Sequence, residues 1–208
     1  DDAILQEVSR CEAQIDKEKC INCGACMAAC PFGAVADRSY IAEVTGALCE
    51  KKDIYAVAAP AITGQFGPKV TVGQLKSAFK KIGFKNMVEV ACGADAVTVN
   101  ESDEFVNRMN SGDKYMTSSC CPGFVSYIET KFPSEVSKIS STVSPMVAVA
   151  RMIKEEDKNA VVVFVGPCTA KKSEINRDSV RGAVDYVLTF EEIFALMGAF
   201  GVKPESCV

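Results

Sequence analysis

The sequence predicts an α/β fold with a largely parallel sheet, entered through a short cysteine-dense segment. From residue 54 onward, short apolar runs rich in Val, Ile, Tyr or Ala alternate with stretches of helical periodicity, the pattern of strands joined by crossover helices. Residues 1 to about 45 differ in kind, since they hold five of the eleven cysteines and read as loop. A boundary is therefore expected near residues 46 to 53, giving segments 1–47 and 48–208.

The expected strands are residues 54–59, 87–90, 115–118, 161–165 and 186–188. Between the first two, Val72, Leu75, Phe79 and Ile82 share one helical face while Lys76, Lys80 and Lys81 look outward, and Gly83 ends the helix. A second helix is expected over 94–109. A third opens with Pro122 in its first turn and stops before Pro133, and a fourth covers 145–156 from Pro145. Thr189 and Glu192 form a capping box that opens the last helix through Phe194, Leu196 and Met197. No internal repeat or low-complexity tract interrupts this order.

Composition narrows the function classes. With 48% hydrophobic and 24% charged residues the chain can bury a sizeable core, and its net charge of −4 comes without a basic run, which argues against nucleic acid or an anionic membrane surface as partner. No stretch approaches the roughly 18 apolar residues of a membrane span, and Asp1-Asp2-Ala3 does not open a signal peptide, so a cytoplasmic protein is expected. Eleven cysteines with no histidine suit thiolate ligation of iron and sulfide better than a secreted disulfide scaffold. The lack of histidine also leaves any proton transfer to Cys, carboxylates, Lys or hydroxyls.

Cys20, Cys23, Cys26 and Cys30 fall in the C-x2-C-x2-C-x3-C-P run of bacterial-type ferredoxins, closed by Pro31. Three thiolates two residues apart wrap one face of a [4Fe-4S] cluster, whereas zinc motifs usually pair two separate C-x-x-C units. In two-cluster ferredoxins the fourth cysteine of the run serves the other cluster. Cys30 therefore either closes its own cluster or served a partner motif upstream of Asp1, and the second is expected. Cys11 is either a further ligand or a plain free thiol, while Cys49 and Cys92 are expected to pack as small buried hydrophobes. Cys207 carries no reading so near the chain end.

Two further segments sit where a strand is expected to end and a helix to begin, a place where sheet folds build ligand sites. They are Thr117-Ser118-Ser119-Cys120-Cys121-Pro122-Gly123-Phe124 and Gly166-Pro167-Cys168-Thr169-Ala170-Lys171-Lys172-Ser173-Glu174. Together they resemble the first two signature motifs of iron-only ([FeFe]) hydrogenases, TSCCPxW and MPCxxKxxE, with Ser118, Phe124 and Gly166 standing where the family has Thr, Trp and Met. The likeness runs from about residue 14 to the end. It implies a ferredoxin-like [4Fe-4S] segment followed by the first α/β lobe of the H-cluster domain, the H-cluster being a cubane joined to a two-iron site with CO, CN and a bridging dithiolate. By the same resemblance Cys121 and Cys168 match two of the cubane's cysteine ligands, and Cys120 matches the proton-passing thiol. Lys171 matches the lysine that grips a cyanide, and Ala59-Pro60-Ala61 resembles the segment around the other, giving Pro60 and Ala61 as contacts. Ser144-Pro145 resembles a family Ser-Pro pair.

Glu101, Glu104 and Arg108 lie three and four residues apart on the second expected helix, so they share a face and Glu104 can pair with Arg108. The plain alternative is a solvated acidic face. Through the resemblance each matches a member of the family's proton path, as does Ser140. Glu101 is then expected to relay between Ser140 and Cys120, with Glu104 and Arg108 as the outer end and desolvation raising a carboxyl pKa. Phe124 and Gly166 are expected to remove bulk near the cluster. The third signature motif would lie beyond Val208, so this chain alone is expected to be incomplete for catalysis and to need a missing C-terminal region or a partner chain.

The implied reaction is reversible reduction of protons to H2, with electrons from a ferredoxin-like carrier in an oxygen-free cytoplasm. A hydrogen-sensing homologue and a non-catalytic iron-sulfur assembly protein are the alternatives. A simple electron carrier would leave the roughly 150 residues after the cysteine run unused.

Overall fold

Four short runs assemble into one parallel sheet, and the apolar composition of the central two follows from burial on both faces. The computed structural model describes residues 4–7 and 12–208. The strands are β3 (Ile54–Ala58), β4 (Asn86–Glu89), β5 (Val161–Val165) and β6 (Tyr186–Leu188), in the order β4-β3-β5-β6. Ile54, Ala56, Val57, Val162, Val163 and Val165 are fully buried at its centre. Ahead of the sheet, β1 (Ile4–Glu7) and β2 (Glu12–Ile15) pair antiparallel as a separate two-stranded ribbon that the sequence reading did not foresee. Cys11 lies outside the described residues.

The helices are α1 (Ala25–Ala29), α2 (Ile41–Cys49), α3 (Val72–Lys81), α4 (Ala91–Asn110), α5 (Pro122–Lys131), α6 (Pro145–Glu156), α7 (Ala170–Glu174) and α8 (Phe190–Ala199). The capping box at Thr189 and Glu192 is present, and a second one, Thr71 with Gln74, opens α3. No helix among the described residues is long and apolar enough to cross a membrane.

The strand order positions the candidate site. From β3 the chain steps to β4 on one side, then crosses back to β5 on the other. The order therefore reverses between β3 and β5, and the carboxyl ends of those two strands flank the crevice where open α/β sheets place ligands.

Three expectations are corrected. Residues 115–118 are not a strand: Thr117 makes a single bridge to Ile139, with Ser140 N–H donating to Thr117 O at 2.7 Å, and no further ladder forms. The segment lies outside the four-stranded sheet, and among the described residues its strand-like pairing is confined to residues 138–140. Residues 41–49 are helical rather than loop, because Val44, Ala47 and Leu48 recur at helical spacing and drop into the core beside the sheet. The expected division after residue 47 thus falls inside α2. Finally, Cys49 and Cys92 are exposed, and among the described cysteines the one that packs in the core is Cys207, 3% exposed.

Candidate functional site

At the end of β3, Ala59 N–H donates to Val165 O at 2.8 Å, continuing the ladder before the exposed Pro60 and Ala61 turn into a short 3-10 helix. At the end of β5, Gly166 N–H donates to Leu188 O at 3.1 Å, and Pro167 and half-buried Cys168 lead into α7. A β-carbon on Gly166 would lie 2.5 Å from the Phe164 ring and 3.2 Å from Ala59 Cβ. The Phe164 ring occupies the space that a side chain at Gly166 would need, so the bulk expected to be missing there is filled from within β5.

Cys120 and Cys121 close the approach to α5. Cys121 is extended (φ −102°, ψ 105°), the conformation that a residue before proline prefers, and Pro122 begins the helix. Both cysteines are exposed. Gly123 brings α5 alongside α7, where a β-carbon on it would be in ordinary contact with Ala170 Cβ at 3.8 Å. Lys171 then ties the two cysteine segments together: its ammonium donates to Cys120 O at 3.1 Å and pairs with Glu174 Oε2 at 2.7 Å. The Lys171 and Glu174 side chains are 11% and 8% exposed, so each charge depends on the other.

The carboxylates of α4 divide into two groups. Glu101 accepts from Ser118 Oγ at 3.2 Å and from Ser119 N–H at 3.4 Å, and Ser118 Oγ in turn accepts Cys120 N–H at 3.3 Å. Glu104 pairs with Arg108 at 2.6 Å and accepts from Ser140 Oγ at 2.9 Å and from Ser141 N–H at 3.0 Å. The expected order is corrected here: the Ser140 hydroxyl meets Glu104 rather than Glu101, because it sits one helical turn further along α4. Ser118 and Thr142 are the residues that sequence reasoning missed. Thr142 N–H donates to Ser140 Oγ at 3.1 Å, and Ser119 Oγ donates to Thr142 O, so the two groups touch through this pair. The one available signal was Ser118, a hydroxyl conservatively placed where the resembled motif has Thr.

The surroundings of Glu104 act on its pKa in opposite directions. Burial pushes it up, but the Ser141 N–H, the Ser140 and Ser141 hydrogen bonds and the Arg108 charge together hold it below the usual carboxylate value.

The Cys20–Cys26 turn lies against both cysteine segments. Asn22 (φ 57°) and Gly24 (φ 76°) take left-handed conformations that curl the chain between the three cysteines. A β-carbon on Gly24 would come within 3.1 Å of Thr169 Oγ1, and one on Gly123 within 3.8 Å of Ile21 O. Cys30 Sγ accepts Ala34 N–H at 3.4 Å, and the N–H groups of Ala34 and Phe32 hold its thiol below the usual range. Among the described residues no three thiol or carboxylate side chains meet as ligands of a single ion would. The run offers sulfur donors alone, with backbone amides directed at the Cys30 sulfur, and this donor set fits an iron-sulfur cluster.

A parallel α/β sheet with the Cys168 thiol at its switch point, packed against a ferredoxin-type cysteine run, defines an iron-sulfur protein. The family described as "Iron only hydrogenase large subunit, C-terminal domain" matches residues 52–208, and the 4Fe-4S binding domain matches residues 13–36. The chain belongs to the iron-only hydrogenase large-subunit family.

Among its relatives, the NADP-reducing hydrogenase subunit HndD of Solidesulfovibrio fructosivorans is 33% identical over 205 residues, covering 86% of this chain and 35% of HndD. The cytosolic Fe-S cluster assembly factor NAR1 of Meyerozyma guilliermondii is 27% identical over 210 residues, covering 89% of this chain and 39% of that protein. The fold is that of a variant of the apo [FeFe]-hydrogenase HydA1 from Chlamydomonas reinhardtii, with a TM-score of 0.75 at 24% identity over 82% of this chain and 50% of that one. The chain thus spans about a third of the length of HndD and half of the HydA1 chain.

Proposed function

We propose that this chain supplies the electron-entry segment and one wall of the catalytic pocket of an [FeFe]-hydrogenase, which joins two protons and two electrons into H2 and runs the reverse reaction. The observation that carries this reading is the Lys171 ammonium, 3.1 Å from Cys120 O, which holds the two cysteine segments together at the switch point. When bound, the H-cluster would supply the bond chemistry between protons and electrons. Cys121 and Cys168 would be two of its cysteine ligands, with the rest contributed from outside these residues. Lys171, a buried cation already aimed at this edge, suits an anionic ligand such as cyanide, and Pro60 and Ala61 would line the opposite side.

The chain's own part is to bring protons and electrons in. Cys120, beside the cluster ligands, would hold the proton nearest the pocket. Glu101, tied to the Cys120 backbone through Ser118, would pass it along, and Ser140, Glu104 and Arg108 would form the next stage outward. Cys20, Cys23 and Cys26 would hold a [4Fe-4S] cluster that receives electrons from a ferredoxin-like carrier, with Cys30 ligating that cluster or a second one. The setting we infer is an oxygen-free cytoplasm.

Hydrogen evolution from a reduced viologen by the intact, cluster-loaded polypeptide tests this. The Cys120→Ser variant should lose about 100-fold or more of the rate while keeping its iron, as expected when a positioned proton donor is removed. A second reading, an iron-sulfur assembly factor, is favoured by the similarity to NAR1 over 89% of this chain. An intact, iron-loaded protein that evolves no hydrogen would support that reading over ours.

A further inference from the structure

The function above uses one face of α7, the one that carries Lys171 to Cys120. The residues between point elsewhere. Thr169 Oγ1, at the N-cap of α7, donates to Asn22 O at 3.3 Å, and Asn22 Nδ2 donates to Ser173 Oγ at 3.2 Å, so the cap and this second face grip the turn between Cys20 and Cys23. Lys172 completes the face. Its ammonium, on a side chain only 6% exposed, lies 2.7 Å from Asp37 Oδ2 and donates to both Glu192 oxygens at 2.9 Å. Asp37 follows the cysteine run, and Glu192 belongs to the capping box of α8.

These three charges are not equivalent. Glu192 is fixed, because its Oε2 also accepts Thr189 N–H at 2.7 Å at the start of α8. Asp37 Oδ2 is shut off from solvent and has no aligned hydrogen bond, so the Lys172 ion pair is what compensates it. One ammonium therefore serves two carboxylates. Without it, Asp37 and Glu192 would face each other unscreened, and the partner free to withdraw is the segment carrying Asp37.

We propose that Lys172 is a positioning residue that latches residues 20–37 onto α7 and so sets the separation between the Cys20–Cys26 turn and the cysteines at the start of α5. The same short helix then registers the electron-entry segment on one face and the catalytic cysteines, through Lys171, on the other. The purpose of the latch rests on the hydrogenase reading, since electron transfer between two buried centres weakens steeply with distance; its existence does not.

The test compares Lys172→Met, Lys172→Arg and Asp37→Asn in the intact, cluster-reconstituted polypeptide by hydrogen exchange and by hydrogen evolution driven by reduced ferredoxin. In Lys172→Met, amides of residues 20–37 should exchange about tenfold faster or more while those of β3 and β5 stay within about twofold. The kcat with ferredoxin should fall about tenfold at unchanged KM, as for a loss within the molecule rather than in docking. Lys172→Arg should restore both, and Asp37→Asn should loosen the segment less. Unchanged exchange in residues 20–37 would overturn the latch. So would acceleration spread evenly over β3 and β5, which would make Lys172 merely structural. If the wild-type protein evolved no hydrogen, the hydrogenase reading would fail while the exchange comparison still decided the latch.

Discussion

Two carboxylates one turn apart on α4 meet different partners, Glu101 the Ser118 hydroxyl and Glu104 the Ser140 hydroxyl. Glu104 is anchored by Arg108 and by two serines, and its pKa lies below the ordinary 4.5. A carboxyl depressed on folding stabilises the folded state at pH above its unfolded pKa, and that contribution disappears as pH falls through the folded value. Denaturant unfolding should therefore find wild type more stable than Glu104→Gln above about pH 4.5, with the gap closing at lower pH; a gap independent of pH would contradict this. Lys171 makes the opposite kind of demand. Because Glu174 is 8% exposed, removing its partner strands a buried charge, and Lys171→Met should cost about 3–5 kcal/mol in the same assay. Adding Glu174→Gln should recover part of that loss.

The elements are held at close range by residues whose importance lies in what they lack. Gly93 is where α4 crosses α6: a β-carbon there would lie 2.4 Å from Val149 Cγ2 and 2.7 Å from Pro145 O, the latter a backbone atom that cannot rotate away. Gly93→Ala should lower stability by about 1–3 kcal/mol, which corresponds to a fall in Tm of about 2–4 °C per kcal/mol for a chain of this size. The cost should carry over to function, since α4 bears Glu101 and Glu104 and α6 begins beside Ser140 and Thr142. Gly166 follows the same logic at the end of β5, where the buried Phe164 ring forbids the larger residue of the resembled motif. Helix starts were legible wherever a local signal existed. Pro122, Pro145 and the Thr189–Glu192 box each open a helix as read, because capping depends on residues within one turn. The segment 115–118 is not a strand because strand formation depends on a distant partner, and among the described residues Ile139 is the single bridge it finds.

At the scale of the molecule, the cysteines separate into a run that chelates locally and a pair of segments that meet only through the fold. Cluster reconstitution should load about four irons per chain at the ferredoxin-type run, and Cys23→Ser should remove most of them, read as iron and sulfide content; retention of all the iron would place the cluster elsewhere. The sequence by itself determined the Cys20–Cys30 run, the helix caps and the alternation of strand and helix, because each is written in residues a few positions apart. Only the tertiary structure decided that the strand order reverses between β3 and β5, that Lys171 bridges to Cys120, that Ser140 serves Glu104 rather than Glu101, and that α7 also grips Asn22 and Asp37. Those contacts join residues from 36 to 151 positions apart. Spacing along a chain carries no information about which distant hydroxyl or carboxylate a buried charge will meet; packing the apolar faces onto one sheet supplies it.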